Sequence, residues 1–133
     1  MSKSRNRNVG HAKEVCLVKR FNSVGYPHVK TSRACNRFRD SQKIDLAHDN
    51  ESVQGQFPFN IQSKDVTTLN VFKTFEEIPK QKDIINILAV TKREKKGSQF
   101  RKTGEYIMMT EDDFFSMLDQ LCILKGETIV LHN

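Results

Sequence analysis

One run constrains the fold more than any other. Asp83 to Thr91 (Asp-Ile-Ile-Asn-Ile-Leu-Ala-Val-Thr) is the most hydrophobic stretch of the chain, and a cation-dense segment follows it. A short apolar run rich in β-branched residues reads as a strand covered on both faces. Such a strand needs sheet neighbours beside it and helices above and below. It therefore predicts an α/β domain. At 133 residues and 37% hydrophobic content the chain can bury one core, not two.

The flanking patterns fill in that plan. Ala12, Val15, Val18 and Phe21 recur every three residues beside Leu17, which predicts a helix from Gly10 to about Asn22. Gly25 and Pro27 stop it. Strands are expected over His28 to Arg33, Lys43 to His48 and Phe59 to Lys64. Thr68 is placed to cap a helix over Leu69 to Ile78, with Val71, Phe72 and Phe75 inward and Pro79 ending it. After the central strand, Lys92 to Lys102 reads as an aperiodic loop suited to a mobile flap. Glu105 to Met109 returns as a strand. Thr110 caps a last helix with Phe114, Phe115, Leu118, Leu121 and Cys122 on its apolar face. Gly126 is expected to end it, before a short strand over Glu127 to Leu131. Three antiparallel strands and a helical crossover to the buried strand predict a mixed central sheet with helices on both faces. Residues 1–9 read as a flexible basic arm and 10–133 as a single domain.

Charge narrows the partners. Lys and Arg number 22 against 16 acids, a net +6, which favours a polyanion, nucleic acid before a membrane surface. No run approaches the roughly 18 apolar residues of a membrane span, and no apolar signal core opens the chain, so a cytoplasmic setting is expected. Cys16, Cys35 and Cys122 lack the close pairing of zinc ligands, and at least one is expected in the core. The cations gather in three places: Arg5 and Arg7 in the arm, Arg33, Arg37 and Arg39 around a loop, and Lys92, Arg93, Lys95, Lys96, Arg101 and Lys102 in the expected flap. Arginine forks suit phosphate oxygens, though a solvated loop gives the same pattern.

Chemistry concentrates on the strands at Lys43-Ile44-Asp45-Leu46 and Asn60-Ile61-Gln62-Ser63-Lys64. Hydrolysis of a phosphodiester needs a divalent metal, an oriented water and positive charge on the developing phosphorane. Magnesium takes hard oxygen ligands and keeps several waters, so one or two carboxylates suffice. Asp45 is the best carboxylate. Gln62 and Lys64 share strand parity and leave on one face. Lys64 is suited to orient a water, and Gln62 to offer an oxygen to the metal. Glu14 completes the set if its helix packs on that sheet. The competing readings are an exposed Glu14 and a plain ion pair between Asp45 and Lys64.

Glu14, Ile44-Asp45 and Gln62-Ser63-Lys64 together resemble the PD-(D/E)xK nuclease superfamily, and most closely the small Holliday junction resolvases of archaea and phages. The likeness runs from about Gly10 to Leu124. It implies a restriction-endonuclease-like fold. It also implies a Mg2+ (or Mn2+)-dependent endonuclease acting on branched DNA as a homodimer, including a phage-encoded one in a host cytoplasm. Glu14, Asp45 and Gln62 would be metal ligands, Lys64 the catalytic lysine, and Ser32 a site-proximal serine. Ile44 stands where the motif has proline, and Gln62 where it has an acid. The second departure removes a negative charge. Two alternatives stay open: a sequence-specific or nicking endonuclease, and a non-catalytic nucleic-acid-binding or phage structural protein.

Overall fold

The computed structural model describes the backbone of residues 3–132 apart from 51, 52, 54 and 55, and side chains between residues 8 and 123. Five strands form one mixed sheet in sequence order: β1 (Val29–Thr31), β2 (Leu46–His48), β3 (Phe59–Asp65), β4 (Ile85–Lys96) and β5 (Gln99–Met108). Helix α1 (Lys3–Ser23) precedes them. Two short helices, α2 (Ser32–Cys35) and α3 (Arg37–Ser41), join β1 to β2. Helix α4 (Val71–Glu76) joins β3 to β4, and α5 (Glu111–His132) follows β5. The α/β expectation holds, with a five-stranded mixed sheet.

The Asp83–Thr91 run supplies the start of β4. That strand pairs in parallel with β3 from Phe59↔Ile85 to Asp65↔Thr91, and α4 lies in the crossover that parallel pairing requires. All other pairs are antiparallel. Along β3 and β4 the odd residues face α1, whose Leu17, Val18 and Phe21 pack on Val29, Leu46, Phe57, Ile61 and Ile87. Phe21 meets Phe57 edge-on at 5.1 Å between ring centres. Even residues face the other way. There Asn60 Nδ2 and Asn86 Nδ2 donate to the Pro79 carbonyl at 3.3 and 3.2 Å, tying the end of the α4 crossover to the sheet.

Several boundaries differ from expectation for identifiable reasons. The helical backbone begins at Lys3 rather than Gly10, so residues 3–9 of the expected arm prolong α1. Asn70, not Thr68, caps α4: its side chain accepts from Lys73 N–H at 3.1 Å. That shift leaves Phe72 exposed and turns Thr74 inward. The cation-dense segment is not a loop. β4 runs on to Lys96, and a two-residue turn at Gly97-Ser98 (Gly97 φ 66°) returns the chain into β5, so the two strands pair to the tip. A bulge at Thr103 shifts the register between Lys92↔Gly104 and Arg93↔Lys102. The helix at the C-terminal end passes Gly126 and continues to His132 where a short strand was expected. None of the three cysteines is buried, and all are free thiols.

Thr110 caps α5 as expected, its Oγ1 accepting from Asp113 N–H at 3.1 Å. The expected burial of that helix does not follow. Phe114, Phe115, Leu118 and Leu121 are all exposed, and no described element packs extensively on α5.

Candidate functional site

The site forms where β2 and β3 part. Their ladder holds a single pair, Leu46↔Ile61, extended by the Asp45 N–H donating to the Ile61 carbonyl at 2.6 Å. Beyond it the Asp45 side chain takes over from the backbone: Oδ2 accepts from Ser63 N–H at 2.7 Å. The carboxylate thus fills the fork between the strands.

What delivers Asp45 there is a helix end. Lys43 N–H bonds to the Asp40 carbonyl and Ile44 N–H to the Arg39 carbonyl, while Lys43 adopts φ 68°. These two bonds around a left-handed residue are the Schellman termination of α3. Ile44 is then fully buried and Asp45 follows at once. Glycine usually holds the left-handed position, and Lys43 standing there hid the α3 end from pattern reading. Asp45 also receives Ser32 N–H on its own carbonyl, at 2.7 Å, which anchors α2 to the same point.

Helix α1 contributes Glu14 from its sheet-facing side. The residue is 3% exposed, so the exposed reading is set aside. Arg33, the second residue of α2, meets it: Nη2 donates to Oε1 at 3.0 Å and lies 2.7 Å from Oε2. Only the first contact has hydrogen-bonding geometry. Oε2 is compensated in charge yet lacks a hydrogen bond.

Gln62 is 1% exposed, and its Oε1 also has no partner. So do the buried hydroxyls of Ser32 and Ser63. Five such orphaned atoms occur among the described residues. Three belong to residues tied to Asp45: Ser32 and Ser63, whose N–H groups bond it, and Glu14, which feels its charge. Gln62 leaves β3 on the opposite face from Ser63. Buried polar groups are nearly always satisfied, so orphans gathered at one point mark a place for something polar.

Electrostatics point the same way. Burial, and next the nearby Asp45 charge, push the Glu14 carboxyl above its ordinary range, with Arg33 pulling back. Asp45 is raised too, by burial, against the Ser63 N–H and the Lys64 charge. Two close acids that both resist ionisation form a site that a cation would relieve. Lys64 acts on Asp45 through space, and no direct ion pair joins them among the described residues. Asp45 is thus linked by charge to Glu14 and to Lys64. Gln62 and Lys64, even residues of β3, leave the sheet on the face turned away from α1, so the structure does not gather all four at one point. Among the described residues no trio of His, Cys, Asp or Glu is placed to hold a metal, so the set is two carboxylates and an amide.

The expected phosphate-binding cations fare differently. Arg33 is engaged by Glu14, and Ser32 is fully buried. Arg93 is committed to Asp65 through a two-point contact at 2.5 and 2.8 Å. Lys92 lies 3.3 Å from Glu94 and Lys102 lies 3.5 Å from Glu105. Arg37, Lys95, Lys96 and Arg101 are exposed. The side chains of Arg5 and Arg7 lie outside those described. Sequence reasoning missed Lys13, buried beside Glu105 at 3.7 Å, whose ammonium burial depresses. Its position next to Glu14 on a helix was the available signal.

A groove of about 390 Å³ lies elsewhere, lined by Val66, Leu69, Val71, Val90, Tyr106 and Met108 among others. It includes none of the four site residues and is mostly apolar, so it is not the place for phosphate chemistry. No described helix is long and apolar enough to cross a membrane. No protein-family model, curated protein or solved structure matches the chain.

Proposed function

We propose that this chain is a metal-dependent DNA endonuclease that hydrolyses phosphodiester bonds in branched DNA, working in the cytoplasm and paired with a second copy of itself. The observation that carries the reading is the cluster of orphaned buried oxygens around Asp45. Glu14 Oε2 and Gln62 Oε1 are oxygen donors left without hydrogen atoms to accept, and hard oxygen is what Mg2+ or Mn2+ takes. Glu14, Asp45 and Gln62 would hold the ion, with waters completing its shell. Bound there, it would supply charge to a phosphoryl oxygen and acidity to a water.

The chain's own residues do the rest. Lys64, half-buried on the strand that carries Gln62, orients the attacking water and steadies charge on the phosphate. Arg33 neutralises Glu14 in the free protein and would be free to contact a substrate phosphate if Glu14 were engaged as a ligand. The exposed cations at the β4–β5 tip and Arg37 offer salt-sensitive contacts to the DNA backbone. The restriction-endonuclease-like arrangement belongs to this same reading, and the branched substrate rests on the resemblance alone.

The test is cleavage of a four-way junction against a linear duplex in Mg2+ and in Mn2+. Cleavage of the junction is expected, slowed at least about 100-fold in Lys64→Ala. No product from either substrate in either metal, or a Lys64→Ala protein as fast as wild type, would falsify the enzyme.

A second reading is favoured by the amide at Gln62: a nucleic-acid-binding or phage structural protein without catalysis. It expects DNA binding that is lost with salt, indifferent to metal, and intact in Asp45→Asn. A nicking or sequence-specific endonuclease on the same residues would instead show product from a duplex panel.

A further inference from the structure

We infer that the groove between the β3–α4 connection and strands β4 and β5 is a subsite for an unpaired base of a DNA strand, stacked on Tyr106, with the neighbouring phosphates on Lys64 and Lys92. The inference rests on the proposed function for its polyanion and adds a separate binding site to it. None of Glu14, Asp45 or Gln62 lines the groove.

Strand register builds this groove. Val90 pairs with Tyr106 and Lys92 with Gly104, and side chains two residues apart leave a strand the same way. Val90, Lys92, Tyr106 and Met108 therefore share a face, the one turned away from α1. Val66, Leu69 and Val71, on the chain leading into α4, form the opposite wall. The space is about 390 Å³, at the small end of the ~300–1,000 Å³ of ligand sites. It has room for a planar ring system rather than for a helix about 10 Å across.

Tyr106 is posed for such a ring. It leans back along β5 over Gly104, where an added Cβ would lie 2.7 Å from its Cε2 and Oη and 2.9 Å from its Cζ. Gly104 is not among the residues with positive φ, so what the ring needs from it is the missing side chain. Yet Tyr106 stays 58% exposed. An aromatic ring parked against a strand with its area left open is a stacking surface formed before its ligand arrives.

Charge selects the occupant. On this face of β3, β4 and β5 stand Lys64, Lys92, Lys96 and Arg101 against one acid, Glu94, which Lys92 meets at 3.3 Å. Arg93, also in the lining, is committed to Asp65. Lys64 lies opposite Val90, so cations flank the groove and continue about 20 Å along β4 to Lys96, longer than a single nucleotide. A lipid chain or an apolar helix would use the floor and leave the cations unanswered. An acidic peptide would use the cations alone. A nucleic-acid strand uses both, a base on the ring and phosphates on the lysines. The base must be unpaired, because one inside a duplex is stacked on both sides.

The experiment is fluorescence anisotropy of a labelled single-stranded oligothymidylate of about eight nucleotides, titrated with the full chain in EDTA so that nothing is cut. Saturable binding that weakens with salt is expected. Tyr106→Ala should weaken it by about 5–150-fold, the worth of one base–aromatic stack, while Tyr106→Phe stays within about twofold. Gly104→Ala should displace the ring and weaken binding with circular dichroism unchanged. Ile107→Ala, on the other face of β5, should have no effect. Wild type that fails to bind at up to about 1 mM overturns the inference, as does Tyr106→Ala binding like wild type. So does a duplex of equal length held as tightly and with the same dependence on Tyr106. A loss in Tyr106→Phe as large as in Tyr106→Ala assigns the contact to the hydroxyl and overturns stacking. Oligonucleotide binding by a chain that cleaves nothing counts against the proposed function alone. Junction cleavage by a chain that does not bind the oligonucleotide counts against this groove alone.

Discussion

The two long helices, α1 of 21 residues and α5 of 22, have opposite relations to the same sheet. α1 buries not only Leu17, Val18 and Phe21 against the core but also two ionisable side chains, Lys13 and Glu14. α5 carries more large apolar residues, and Phe114, Phe115, Met117, Leu118, Leu121 and Ile123 on it are exposed. Apolar patterning thus shows that a helix has something to cover, not where. α1 lies over the odd residues of β3 and β4, which offer Ile61 and Ile87. α5 follows an edge strand after both sheet faces already have their helices. The charged residues inside α1's footprint are what separate a site-bearing helix from one that only packs.

That contrast can be broken most severely at Glu14. If Glu14 is a metal ligand as proposed, Glu14→Ala should lower junction cleavage by about 10²–10⁴-fold, measured under single-turnover conditions. Asp113→Asn on α5 should leave the rate unchanged. Next in size is stability. Phe21→Ala removes a ring packed edge-on to Phe57 and should cost about 3 kcal/mol in urea unfolding. Leu118→Ala, at concentrations where the chain is monomeric, should stay within about 0.5 kcal/mol. Equal costs for the two would erase the distinction between the helices.

A third prediction has the opposite sign. Asp45→Asn keeps an acceptor for Ser63 N–H and removes a buried charge, so it should stabilise the metal-free protein by about 0.5–2 kcal/mol while abolishing cleavage. The pH dependence follows from the raised carboxyl. Between the ordinary value of 3.8 and the higher value in the fold, the native state holds more protons than the unfolded chain. Stability therefore falls as pH rises through that window and levels off above it. The advantage of Asp45→Asn should vanish at the acid end and be full above the window, read by denaturant titration at several pH values. Mg2+ should raise the melting temperature of wild type and not of the variant, since only a folded site binds it. The smallest effect is expected at Lys43. Lys43→Gly suits the left-handed position and should add about 0.5–1 kcal/mol, visible as a shift in urea midpoint.

Much of the sheet could be read directly. The Asp83–Thr91 run, the parity of Gln62 and Lys64, and the capping Thr110 each follow from local pattern, and the structure bears them out. What escaped reading depends on context. Lys92 to Lys102 looks like a loop because its charges alternate with nothing apolar. It is strand because both its faces meet water and pairing needs only backbone. α3 was hidden by a lysine doing a glycine's task. For the site, the residue types were visible but the orphaned oxygens were not. An unpaired Gln62 Oε1 is a property of the fold, and no sequence pattern announces it.

The uneven ladder on either side of β3 has a mechanical consequence. Gln62 and Lys64 ride a strand paired with β4 along its whole length, whereas β2 and Asp45 are joined to β3 by one residue pair, the Asp45 N–H bond to the Ile61 carbonyl and the Ser63 N–H bond to the Asp45 side chain. The site is therefore built like a vise with one fixed jaw and one sliding jaw. Under the proposed function, an ion held by Asp45 would be accommodated by movement of β2 and the α2–α3 corner rather than of the central sheet. If the proposed metal is held there, substitutions in that corner, whose Ser32 N–H and Arg33 touch Asp45 and Glu14, would be expected to change which ion is preferred.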